Sequence, residues 1–563
     1  MPVLWALLIL AMFVFSFASC RPATTPTELP ARLPADPACG ATFVDRPIES
    51  LAQCSFDNGQ RAGLFAILEI VGGGVTCCDY DRDGVTDLII PRGGHIDSAN
   101  HRVSGINSVL LRSDGAWNFG DRTASARLDT ASVYTHGLAP ADFDHDGFDD
   151  LLAYGYGGVV LLHNLGDGTF KQVAQFATPT WTTAAAWIDL DGDRTLDLYL
   201  GSYVAWDFDR HQTCARPDGA PDVCSPNAFE GTKSSVLLNN NDGSFTPNGD
   251  IVSAPELAKT LGAIAGEFTR GQGCGLYVAN DLMVNYLFTR NGDKFREHAL
   301  SSGVAVDDEG VVNGSMGIAM LDFNLDGQFD LFVTNFEHEK MALYVNQGQN
   351  SFHHVSRQIG LNRNDLRVVG FGTVAGDFDG DGDEDIIFTS GHVHYRPDTG
   401  PMEQLPAYLQ NEAGRMLSKC TPKCNLFTRP AVGRGLAAAD FDGDGDLDII
   451  ATHLFGPPAM IENVSSSHAN WLSIALVGTE SSRTPVGAIG ELRTSNRAFV
   501  RQLFSGGSYL SQSESKLHFS WPESGDDAEP VSLTIHWPDG AGEESFAVVP
   551  NQSLTIIQGR GVR

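Results

Sequence analysis

Six stretches of this chain repeat one arrangement of acid: DYDRDGVTD (79–87), DFDHDGFDD (142–150), DLDGDRTLD (189–197), DFNLDGQFD (322–330), DFDGDGDED (377–385) and DFDGDGDLD (440–448). Asp occupies positions 1, 3, 5 and 9 throughout, except that Asn324 holds position 3 of the fourth stretch. Gly holds position 6 in all but the third, where Arg194 replaces it. Alternate side chains of a tight, glycine-permitted turn converge on one point, and a main-chain carbonyl at position 7 can join them. Hard oxygen donors in that number suit Ca²⁺ better than Mg²⁺. The candidate metal ligands are therefore Asp79, Asp81, Asp83 and Asp87; Asp142, Asp144, Asp146 and Asp150; Asp189, Asp191, Asp193 and Asp197; Asp322, Asn324, Asp326 and Asp330; Asp377, Asp379, Asp381 and Asp385; and Asp440, Asp442, Asp444 and Asp448. An EF-hand needs a bidentate Glu at position 12 between helices. Position 12 here is Ile90, Ala153, Leu200, Val333, Phe388 or Ala451, and the flanks read as strands, so that reading fails.

The bulk charge agrees. The 563 residues carry a formal net charge of −33, which argues against nucleic acid as a partner. Up to six structural calcium ions would bring that charge to −21. Hydrophobic content of 42 % and charged content of 19 % describe an ordinary folded chain.

The elements that must position these acids repeat as well. Small and apolar residues precede each loop, and an apolar, β-rich run follows it (LIIP, LLAYG, LYLG, LFVTN, IIFTS, IIATH). A later hairpin closes each unit, as in LRSDGAWNF, HNLGDGTF and NNNDGSF. The loop starts leave one wide gap, and GEFTRGQGCGLYVAND (266–281) divides it: a seventh unit in which only Glu267 and Thr269 could ligate. Four antiparallel strands per unit, A to D, make a propeller blade. The last blade lacks strand D, and ATFVDR (41–46) has the pattern to supply it. The expected fold is all-β: a seven-bladed β-propeller over 39–465, closed by an N-terminal strand, then a small β-sandwich or barrel over 468–558.

These loops resemble the integrin-α-like FG-GAP/VCBS calcium propeller. NWLSIALVG, VGAIGELR, FSGGSYLSQSESKLHF and TIHWPDG resemble the ASPIC/UnbV domain, and with VANDLMVN they make the chain similar to the cartilage acidic protein family and its bacterial relatives. The resemblance implies an extracellular, calcium-stabilised binding or matrix-type protein without an established catalytic role.

Residues 1–20 read as a signal peptide, with FASC leaving open a lipid on Cys20 as the one membrane link; residues 21–38 read as a Pro/Thr-rich linker. The chain is thus expected to be secreted, or else lipid-anchored at the cell surface or periplasm. Cys214/Cys224 and Cys420/Cys424 are the expected disulfides, with Cys39/Cys54 a further pairing. Asn313, Asn463 and Asn551 stand in glycosylation sequons. Two enlarged B–C loops, 202–233 and 390–407, lie on the face opposite the acid. They read either as surface insertions that pack on each other or as a recognition surface, in which Trp206, His392, His394 and Arg396 are the candidates for contacting an extracellular protein or glycan. His392 and His394 alternate on a strand, so a transition-metal site is conceivable there. The rival function is a calcium-dependent lyase or hydrolase acting on polysaccharide through His392, His394, Tyr395 and Arg396. No nucleophile elbow, zincin motif or phosphate loop is present, and no catalytic residue or organic cofactor is expected.

Overall fold

The computed structural model describes residues 39–563 apart from 178–179, 253–256, 416, 466–468 and 523–529. The signal peptide, the linker and Cys20 lie outside the described residues. The chain is all-β, built from many small antiparallel sheets. No described helix is long and apolar enough to cross a membrane.

Seven sheets share one strand order, each a four-strand meander, and in six of them an acidic loop joins the first two strands. Blade 1 begins with Thr76–Cys78, blade 2 with Tyr134–Ala141, blade 3 with Thr182–Ile188, blade 4 with Thr260–Gly266, blade 5 with Ile318–Leu321, blade 6 with Gly370–Gly376 and blade 7 with Gly433–Ala439. These first strands neighbour one another in a cycle that returns from blade 7 to blade 1. The small-residue lead-ins are explained by that crowding: a Cβ on Gly317 would stand 2.1 Å from the carbonyl oxygen of Phe371 in the next blade. The fourth strand of blade 7 is Phe43–Asp45, paired antiparallel with Ala459–Asn463. The terminal strand covers what would otherwise be an open edge.

A single disulfide replaces two of the expected pairings, Cys420/Cys424 and Cys39/Cys54. Cys39 bonds Cys420 at the end of blade 6, with Cα atoms 5.5 Å apart. Cys424 and Cys54 are therefore free and buried. The pairing could not be read from spacing, because it joins residues 381 apart that only the folded ring brings together. Cys214–Cys224 forms as expected. Both bridges are consistent with an extracellular protein.

The C-terminal part holds two further sheets. One has Ala469–Val477 between Leu517–Pro522 and a parallel Gln552–Ile557; the other joins Ile489–Arg493 to Ala498–Gln502 and Val531–His536. Leu472, Leu492, Phe519, Trp521 and Leu533 fill the space between them, which makes a sandwich.

Its loop after Gln502 leaves the sandwich and enters the ring. Ser505–Gly506 adds to the first strand of blade 4. The Ser505 hydroxyl accepts from Trp187 N–H of blade 3, and Ser508 exchanges main-chain bonds with Ile318 of blade 5. Ser508 Oγ accepts from Thr373 N–H of blade 6 and donates to the Leu436 carbonyl of blade 7. Gln512 pairs with Val75 and Cys77 of blade 1. The carbonyl of Leu510 lies against Gly137 of blade 2. One segment thus touches the first strand of every blade, and it lies along the axis that those strands surround.

Candidate metal centres

Each acidic loop is held by the same frame of hydrogen bonds. The position-1 Asp accepts from the N–H at position 6: Gly84 to Asp79, Gly147 to Asp142, Arg194 to Asp189, Gly327 to Asp322, Gly382 to Asp377 and Gly445 to Asp440. The third of these shows why Arg194 is tolerated: it takes the left-handed backbone at φ 74° that glycine holds elsewhere. The position-9 Asp is wholly buried and accepts twice. One oxygen takes the N–H at position 2; the other takes an N–H from strand C, as Asp150 does from Phe143 and Asn164. This bond pins the loop to its own blade.

Ligand atoms of Asp79, Asp81 and Asp87 lie within 4.8 Å of one another. So do those of Asp142, Asp144 and Asp150, of Asp189, Asp191 and Asp197, and of Asp377, Asp379 and Asp385. Asp81, Asp142 and Asp442 each keep a buried carboxylate oxygen with no hydrogen-bond partner. Such an oxygen is costly to bury unless a cation faces it, so the residues present fit a divalent ion. Their protonation says the same. Burial raises Asp87 to about 8, Asp150 to about 9, Asp197 to about 7 and Asp330 to about 8, and neighbouring carboxylates add to the rise in each.

The blades differ at one further position, the strand C residue just before the one that bonds the position-9 Asp. In blade 1 it is Arg112, whose Nε donates to Asp81 at 2.5 Å and whose second arm donates to Asp83. Blade 2 has His163, with Nδ1 3.0 Å from Asp150 and 3.2 Å from Asp144. In blade 6 Gln410 donates to Asp379 at 2.6 Å. Glu462 of blade 7 lies beside Asp442 and pairs with Arg46. Leu238 and Val345 fill the position in blades 3 and 5.

Strand C also carries a residue whose role sequence reasoning read only as a turn. Asn164, Asn239, Asn346, Asn411 and Asn463 each donate their side-chain N–H to the position-2 carbonyl of the preceding blade's loop. Arg290 does the same to Leu190 from blade 4. The signal was in plain view: an Asn recurs at the head of every hairpin that follows a full acidic loop except the first, where Ser113 stands. Engaged in this way and buried, Asn463 is no glycan acceptor.

The C-terminal sandwich packs against part of the acidic face, leaving Asp83, Asp146, Asp193, Asp326 and Asp444 exposed. Thr484 accepts from the Asp142 N–H, Arg483 lies 3.8 Å from Asp142, and Arg497 Nη1 donates to the Asp381 carbonyl. Ser520 donates to Asp377 at 2.6 Å, and Glu514 accepts from Thr86 and from the Asp440 N–H. The acid-poor loop of blade 4 now has a physical account. Gln502 accepts from the Glu267 N–H and donates to its carbonyl, Cys274 Sγ donates to Val486, and Arg270 pairs with Glu491 at 3.0 Å. Direct protein contacts hold that loop where its sisters present carboxylates, and Glu267 still accepts from the N–H of Gln272.

The opposite face departs from expectation. Trp206 is 2 % exposed and packs against Tyr156, Trp181 and Phe208, so it is core, not a contact residue. His392 is also 2 % exposed, with Nδ1 accepting the His394 N–H and Nε2 3.5 Å from Glu337. For these two residues the alternative of loops packing on one another describes the structure, since long loops bury their own aromatic residues when they do so. His394 is half-buried beside Asp222, and Arg396 is exposed.

Family comparisons agree with the repeat pattern. An FG-GAP-like repeat model matches residues 142–200 and 322–388, and an ASPIC and UnbV model matches 478–563. The chain is 26 % identical over 506 residues to cartilage acidic protein 1 of Xenopus tropicalis, covering 83 % of this chain and 70 % of that protein. It is 24 % identical over 477 residues to cartilage acidic protein 1 of Homo sapiens, covering 72 % and 69 %. A solved structure described as "Structural basis of specific recognition of non-reducing terminal N-acetylglucosamine by an Agrocybe aegerita lection" aligns at TM-score 0.36 with 15 % identity, over 59 % of this chain and 79 % of that one.

Proposed function

We infer that this chain is a secreted or surface-attached, matrix-type binding protein. Calcium ions in the acidic loops stiffen a propeller over 39–465 and seat a sandwich over 468–558, and no catalysis is involved. The observation that supports this most is the contact between acidic loops and sandwich: Asp142, Asp377, Asp381 and Asp440 all meet it. An ion held there works as a strut between two parts of one chain and is not offered to a ligand. Asp, Asn and main-chain oxygens would hold it, and the charge it supplies balances carboxylates that burial otherwise protonates. An extracellular protein or glycan is then left the far face, where His394 and Arg396 reach the surface.

Two measurements test this. Chelation with EDTA should lower the melting temperature, since an ion bound only to the folded state stabilises it by mass action; an unchanged curve rejects the strut. A glycan array and a pull-down from extracellular matrix with calcium-loaded protein should yield a ligand whose retention drops with Arg396→Ala. Release of unsaturated sugar ends from polysaccharide would favour the enzymatic alternative instead.

A further inference from the structure

The acidic loops share their carboxylates but not the strand C residue that leans over them, and that residue decides which cation each can take. We propose that the blade 2 loop is a separate site for a transition-metal ion of the Zn²⁺ type, with the imidazole of His163 as its nitrogen ligand. The proposal rests on the reading that these loops bind cations, and it assigns one of them a different ion.

Three observations carry it. His163 belongs to a group with Asp144 and Asp146 whose ligand atoms lie within 4.8 Å of one another. Its Nδ1 also stands 3.0 Å from Asp150, so nitrogen and carboxylate oxygens from loop and strand face one space. Into the same loop points Asp142, 2 % exposed, with one oxygen lacking any hydrogen-bond partner. A carboxylate-only loop suits hard ions, whereas one imidazole among carboxylates suits Zn²⁺, Co²⁺ and their neighbours. Blade 1 makes the contrast: at the same position Arg112 reaches the loop's acids with a guanidinium, a donor that cannot ligate a metal.

The test uses the full chain in excess Ca²⁺, with Co²⁺ as a visible probe and Zn²⁺ as competitor. Wild type should take up one equivalent of Co²⁺ with an absorption band that Zn²⁺ displaces. His163→Gln and His163→Leu copy the residues blades 6 and 3 already carry at that position, so both should fold. Each should weaken Co²⁺ binding at least about tenfold, as loss of a coordinating contact does, while leaving the EDTA-induced fall in melting temperature intact. Absence of Co²⁺ uptake by wild type, or uptake that both variants retain, overturns the proposal and leaves His163 as an ion-pair partner of Asp150. Failure of the calcium reading would appear elsewhere, as a wild-type melting curve indifferent to EDTA.

Discussion

The position-9 aspartates show most plainly what a loop without its ion would have to do. The folded-state pKa values of Asp87, Asp150, Asp197 and Asp330 lie at about 7 to 9, raised by burial from near 4, and burial raises Asp385 and Asp448 as well. A raised carboxyl contributes its full stability below the unfolded pKa and loses it as pH climbs through the folded one. The chelated protein should therefore lose melting temperature between about pH 5 and pH 9. With calcium bound the carboxylates are ionised throughout, and the curve should be nearly flat over that range. Differential scanning fluorimetry at several pH values decides it; equal slopes with and without calcium would show that these acids are not where the ion acts.

Between blades, the recurring Asn is the element-scale device. The Asn411 side chain joins its own hairpin, the position-8 carbonyl of its own loop and the loop of the blade before, while its main-chain N–H holds the position-9 Asp. Replacing Asn411 by Ala would strand the buried Phe323 and Glu384 carbonyls and free Gly414 N–H. Burying unpartnered groups of this kind costs about 1–3 kcal/mol, and urea unfolding should register that loss, whereas a cost near zero would mean that water replaces the latch. Much of this level was legible beforehand: the Asp spacing gave the loops, and ATFVDR matched the strand that pairs with Ala459–Asn463. What stayed hidden depends on distance in sequence. The Asn164 latch spans 84 residues, so the recurring Asn is visible in the sequence but its partner is not, and the Gln502 contact to Glu267 spans 235 with no local pattern at all. Trp206 misled because its burial is decided by Trp181 and Tyr156, on other segments.

At the scale of the whole molecule, the segment from Ser505 to Gln512 makes the ring and the sandwich a single cooperative object. Its fit leaves no room at Gly74, where an added Cβ would meet the Leu510 carbonyl at 1.8 Å. Gly74→Ala should push the segment off the axis, lower the melting temperature by about 1–2 °C, as about 1–2 kcal/mol would in a chain of this size, and expose residues 503–516 to protease. A variant as stable and as resistant as wild type would place the segment's weight elsewhere.

The Cys39–Cys420 bond sets how such a molecule would bear a load. Tension entering from the chain before residue 39 reaches the sulfur bridge first and passes to blade 6, so the three-residue strand at Phe43–Asp45 is shielded from unzipping. A copy tethered by its N-terminal side should stay shut under force while oxidised and unravel from blade 7 once reduced. Pulling single molecules with and without reductant would show whether that clasp holds.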